Sequence, residues 1–105
     1  MNKITKIYCT NLHVKLKKSH ESYDKYTFGH VYAFVKCNDA YSALKSFRKE
    51  LNIQELTLTS FEFICPFEDL EWEDKELGIH FKQLADEASK SDNVIFDIIY
   101  CQSRN

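Results

Sequence analysis

The sequence predicts a single α+β domain covering residues 1–105, a two-layer sandwich of a four-stranded, mostly antiparallel sheet with two helices on one face. Four segments have the apolar pattern of strands, and two others repeat apolar residues at helical spacing. The predicted order is ββαβαβ, ferredoxin-like in general character. Only two Gly and one Pro occur in the chain, which disfavours a long linker or a Gly-rich phosphate loop.

The first half of the chain supplies two strands. Residues 4–17 alternate between apolar residues such as Leu12 and polar ones such as Lys15, which predicts a half-buried strand. Residues 18–27 are polar and are predicted to form a loop. Residues 28–37 are apolar on both faces, as is typical of a central strand.

A first helix should follow the second strand. Asn38 or Asp39 occupies the position of an N-cap, and apolar residues then recur at helical spacing between positions 40 and 51. The polar side of this helix is basic, with Lys45, Arg48 and Lys49.

Two further strands enclose the second helix. Residues 53–67 are predicted to form a long strand that ends near Pro66, because proline cannot donate a ladder hydrogen bond. Asp74 is the expected N-cap of the second helix, and residues 94–101 form the last strand. Asp97 is the only carboxylate in that last strand, and we expect it to be exposed or paired with a neighbouring Lys.

Charge is divided unequally between the halves of the chain. Residues 1–49 contain ten Lys/Arg and three Asp/Glu, whereas residues 50–105 contain four and thirteen. We call residues 67–76 the acidic segment. It contains six carboxylates, which surround the only tryptophan of the sequence. This pattern favours docking of a basic partner around an aromatic anchor. The candidate binding residues are Glu68, Asp69, Glu71, Trp72, Glu73, Asp74 and Glu76.

Two other interpretations of the charges remain open. The acidic segment can be a solvated loop whose acids serve a helix N-terminus, with Trp72 in the core. Alternatively, the basic side of the first helix and the lysines at 15–18 can pair with the acidic half within the fold. In that case high salt would lower the stability of the protein.

Several classes of function lack support in the sequence. No apolar run approaches the roughly eighteen residues of a membrane span, and the first residues lack the apolar core of a signal peptide. The four histidines include no i, i+4 pair, and the cysteines at 9, 37, 65 and 101 form no CxxC motif. We therefore expect a cytoplasmic protein with reduced thiols, no metal, no cofactor and no enzymatic activity.

Two stretches resemble the ribonucleoprotein motifs of the RNA-recognition-motif family. Residues 7–12 are similar to the shorter motif and residues 30–37 to the longer one. The resemblance implies that Tyr8, Tyr32 and Phe34 stack on single-stranded RNA, with nearby lysines at phosphates. Only seventeen residues separate the two stretches, which is too few for the helix and strand that the family has there.

The favoured hypothesis is a small protein that binds another protein. A compact α/β domain with many aromatic residues and a dense acidic patch is similar in kind to bacterial immunity proteins, which neutralise toxins. Such a protein would cover the active or nucleic-acid-binding surface of a basic partner, such as a nuclease toxin, with carboxylates in place of phosphates. RNA binding is the alternative. We expect a monomer or a weak dimer.

Overall fold

The computed structural model describes residues 5–103, so Ile4, the predicted start of the first strand, lies outside it. All strand pairs in the described part are antiparallel, and the order is β3-β1-β2-β4 with β5 also beside β2. The α+β class and the predicted order of elements are confirmed. The elements are β1 (Lys6–Leu16), β2 (Tyr26–Cys37), α1 (Ala40–Ile53), β3 (Leu56–Pro66), a 3₁₀ turn (Phe67–Asp69), α2 (Lys75–Ser89), β4 (Ile95–Phe96) and β5 (Tyr100–Ser103).

The two helices pack on opposite faces of the sheet. β1 and β2 pair without a register shift, so alternate residues of each strand point to opposite sides. Val31 and Val35 share a core cluster with Phe47 of α1. Phe34, which points the other way, packs against Phe81 of α2. The prediction of two helices over an antiparallel sheet is therefore confirmed, whereas their placement on one shared face is not.

Side-chain caps fix the start of both helices. The carboxylate of Asp39 accepts a hydrogen bond from the backbone N–H of Ser42 at 2.7 Å, and the carboxylate of Asp74 accepts one from Leu77 at 3.1 Å. Asp74 was predicted as a cap, and the structure selects Asp39 over Asn38, the two candidates for the cap of the first helix. α1 ends at Ile53, the first residue of the segment predicted as strand, and the chain then turns through Glu55 with φ of 62° before β3 begins at Leu56.

We expect the substitution Asp74→Ala to lower the free energy of unfolding by about 1 kcal/mol, because α2 loses the acceptor for one of its first N–H groups. Urea unfolding measures the change. The matched control is Glu73→Ala, an exposed acid one residue earlier that makes no hydrogen bond in the described part of the chain. Its effect should stay within about 0.5 kcal/mol. Equal losses in the two variants would contradict a specific capping role.

The predicted last strand is interrupted at Asp97. Its backbone N–H donates to the carbonyl of Tyr32 at 2.9 Å, and its carboxylate lies 2.9 Å from Nε2 of His80 on α2. The Asp97 side chain is only 6% exposed. The sequence had suggested that Asp97 is exposed or paired with a lysine. That prediction is wrong, because the side chain is buried and its partner is a histidine. Asp97 ties the irregular segment after β4 to His80 of α2.

Candidate functional site

The acidic segment connects the end of β3 to the start of α2. It begins beside the first residues of β1, because Pro66 pairs with Tyr8 in the sheet. The ring of Phe67 packs against Phe34 of β2, with 6.0 Å between centroids. The segment is thus anchored at its start by an aromatic contact and at its end by the cap of α2.

Trp72 is packed among aromatic rings and is partly buried. Its ring centroid lies 4.6 Å from that of Phe81 and 6.2 Å from those of Tyr32 and Phe67. Its indole Nε1 is buried and makes no hydrogen bond within the described residues. Trp72 therefore belongs partly to the core. This agrees with the interpretation of the acidic segment as a solvated loop with Trp72 packed inside, and α2 fixes the position of the ring.

Gly78 has a packing role that the sequence did not reveal. A Cβ atom at this position would lie 3.1 Å from Cβ of Trp72, closer than side chains normally approach. Glycine costs an exposed helix roughly 1 kcal/mol relative to alanine. Here it allows the tryptophan to pack directly on the first turn of α2.

The carboxylates of the acidic segment divide into two groups. Glu68 forms an ion pair with Lys6 at 2.9 Å, and the hydrogen bond that Lys6 donates to the Glu68 carboxylate raises the pKa of the lysine. Asp74 caps α2. The other four carboxylates are exposed and form no ion pair with any residue between 5 and 103. These four, the unpaired carboxylates, are Asp69, Glu71, Glu73 and Glu76.

A groove with an apolar floor runs between the acidic segment and α2. Its volume is about 690 Å³. Ile79, 62% exposed, forms part of its wall, although the helical pattern places this residue outside the apolar stripe of α2. An apolar residue on the polar side of a helix is the sequence signal that points to this groove. The lining residues are Phe67, Glu68, Leu70, Trp72, Lys75, Gly78, Ile79, Lys82 and Gln83.

The acidic half is not neutralised by the basic half. Within residues 5–103, only Lys6–Glu68 and Lys36–Asp92, the latter at 3.8 Å, join a lysine of the first half to an acid of the second. The cations of α1 take no part, and Lys45 instead lies over the ring of Tyr41 at 6.0 Å. The expected internal pairing therefore accounts for little of the charge asymmetry.

The three rings expected to bind RNA do not form an exposed platform. Phe34 is fully buried. Tyr32 lies beneath Phe81, with 4.5 Å between ring centroids. Tyr8 packs with the core cluster on the α1 side of the sheet. Stacking of bases on Tyr32 and Phe34 would require α2 to leave the sheet, and Tyr8 lies on the opposite face from them.

A group of polar side chains that could take part in a reaction lies on the part of the sheet beyond α2. Glu62 accepts a hydrogen bond from Nδ2 of Asn11 at 2.9 Å and lies 3.6 Å from Nε2 of His13. No group of three or more His, Cys, Asp or Glu in the described range is placed to hold a metal ion. The arrangement holds Glu62 in place but presents no nucleophile beside an activating base.

Comparisons with known proteins give no relative. No family model, curated protein or solved structure matches this chain. Among the described residues, neither α1 nor α2 is long and apolar enough to cross a membrane. The residues of the groove and the acidic segment are therefore the basis for any statement about function.

Proposed function

We propose that this protein binds a basic protein partner through the acidic segment and the groove beside it, and inhibits that partner by covering its active or nucleic-acid-binding surface. The observation that carries the proposal is the position of four unpaired carboxylates next to an apolar groove of about 690 Å³. Exposed charge speeds and orients encounter, while an apolar groove supplies contact area. The protein would act without catalysis in the cytoplasm, as an immunity protein does against a nuclease toxin.

The charges around the groove indicate how a partner would be oriented. Lys75 and Lys82 line the α2 side, whereas Glu71 and Glu73 belong to the acidic segment on the opposite side. A complementary surface has an apolar side chain for the groove and Lys or Arg residues toward the acidic segment. The same cations bind nucleic-acid phosphates in a nuclease. Carboxylates that engage them would exclude the substrate.

Trp72 has a supporting role in this proposal. Its ring forms part of the groove, but its contacts with Phe81 and Gly78 also hold the acidic segment on α2. A Trp72→Ala variant would change stability and binding together. Substitutions at exposed carboxylates separate the two effects.

The double substitution Glu71→Ala/Glu73→Ala should raise the dissociation rate of the partner about 10-fold and lower the association rate at low salt, because two rim charges are lost. The partner is first captured on the immobilised chain and purified, and surface plasmon resonance then gives both rates. If the partner is a nuclease, its inhibition is measured on a nucleic-acid substrate.

The matched control is Glu21→Ala/Asp24→Ala. It removes the same charge from the β1–β2 loop, at the opposite end of the sheet. This control should bind as the unmodified protein does. Equal weakening in both double variants would show a general charge effect, and unchanged rates in both would exclude the acidic segment as the binding surface.

A further inference from the structure

Cys9 of β1 and Cys65 of β3 lie directly opposite each other in antiparallel pairing. Opposed Cα atoms in such a pair are about 4.5–5.5 Å apart, and their side chains point to the same face. Disulfides span Cα separations of about 4.4–6.8 Å. Both residues are free thiols in this structure. The backbone therefore already holds the two residues at a distance that a disulfide can bridge.

The two thiols differ in their access to solvent. Cys9 is fully buried and packs with Phe34 and Phe81, whereas Cys65 is partly exposed. Burial, and next the proximity of Cys65, raise the pKa of the Cys9 thiol to about 12. Burial, and next Asp69, raise the pKa of Cys65. An external reagent would therefore react with Cys65 first. The buried thiol of Cys9 would react second, with the modified Cys65.

The other two cysteines are not placed to compete. Cys37 belongs to the cluster on the α1 side of the sheet and donates to the carbonyl of Asp39 at 3.3 Å. Cys101 pairs with Gly29, at the other end of β2 from the position opposite Cys9. The sheet register thus selects one pair among the four cysteines.

We infer that Cys9 and Cys65 form an oxidative modification site, a dithiol that reacts with a low-molecular-weight disulfide such as oxidised glutathione and closes to a cross-strand disulfide. The thiolate of Cys65 attacks one sulfur of the reagent, and a thiolate leaves to give a mixed disulfide on Cys65. Cys9 then attacks the Cys65 sulfur while its proton passes to the departing thiolate, which leaves as the second thiol. The protein loses two hydrogens, and the reagent is reduced to two thiols.

A disulfide between Cys9 and Cys65 would restrain the chain at the point where β3 leads into the acidic segment. Cys65 immediately precedes Pro66 and the 3₁₀ turn that begins with Phe67. A bond to β1 would hold the end of the edge strand β3 and close a loop of about 56 residues, which restricts the unfolded chain. In a reducing compartment the pair stays open, and it closes when the surroundings become oxidising. This inference is independent of the proposed binding function.

The test uses the full chain carrying Cys37→Ser and Cys101→Ser, so that Cys9 and Cys65 are the only thiols. The folded protein is incubated with oxidised glutathione and analysed by intact mass and by non-reducing peptide mapping. The expected product lacks two hydrogens, contains a Cys9–Cys65 cross-linked peptide and retains no glutathione. Its thermal midpoint should rise by about 10 °C and should return on reduction.

Two controls keep the result decisive. The unmodified chain, treated in the same way, should give the same cross-linked peptide, which guards against a folding defect of the double variant. Addition of Cys65→Ser should abolish both the mass change and the thermal shift. A stable glutathione adduct on Cys65 without ring closure, no reaction in the folded state, or cross-linking only in denaturant would each overturn the inference.

Discussion

Replacement of Phe81 by alanine is expected to lower the free energy of unfolding by about 3–5 kcal/mol. This side chain is 1% exposed, and its ring centroid lies 4.5 Å from that of Tyr32 and 4.6 Å from that of Trp72. Phe81 is the largest of the three buried residues of α2, the others being Ala85 and Ala88. Since small domains are stable by about 5–15 kcal/mol, a substantial part of the stability would be lost. Urea unfolding followed by far-UV circular dichroism measures the loss.

The matched control for Phe81→Ala is Ile79→Ala. Ile79 is two residues away on the same helix and is 62% exposed, so its effect on stability should stay within about 0.5 kcal/mol. The emission of Trp72 in the native state should shift to the red in Phe81→Ala, because the indole loses its nearest aromatic neighbour, and should change little in the control. A loss below about 1 kcal/mol for Phe81→Ala would contradict this packing.

The second large effect is expected at Phe47, on the other face of the sheet. Phe47 is fully buried and joins α1 to the cluster of β1 and β2, so the substitution Phe47→Ala should also cost about 3–5 kcal/mol. Trp72 lies with α2 on the opposite face. Its native emission should therefore stay unchanged in Phe47→Ala, although the urea midpoint falls.

The control for Phe47→Ala is Tyr41→Ala, which removes another aromatic ring from α1. Tyr41 is 72% exposed, and we expect a change within about 0.5 kcal/mol. Comparison of Phe47→Ala with Phe81→Ala also tests the architecture. If Phe47→Ala shifted the emission of Trp72 as strongly as Phe81→Ala does, the helices would share one face after all.

The prediction that both helices lie on one face of the sheet was wrong, and the reason shows what the periodicity of apolar residues can and cannot predict. Residues 28–37 are apolar on both faces, and the structure shows why: Val31 and Val35 face α1, while Phe34 faces α2. The sequence therefore carried the signal for a sheet covered on both sides. Periodicity identifies the face that is buried, but the identity of the helix that covers it depends on the path of the connections, which local patterns do not encode.

In the candidate site, too, local features were predictable from the sequence and contacts between distant residues were not. The Asp74 cap was predicted correctly, since it depends on residues close in the chain. The Lys6–Glu68 ion pair and the groove formed with Ile79 join residues that are distant in sequence or on different elements. Such contacts arise only when the elements pack.

By itself, the sequence determined the α+β class, the order of the elements, the Asp74 cap and the strand end at Pro66, because these follow from the spacing of apolar residues and from the chemistry of single residues. Only the tertiary structure decided the opposite faces of the helices, the partial burial of Trp72 and the pairing of Cys9 with Cys65. Each of these depends on strand register and helix packing, which bring together residues that no local pattern connects.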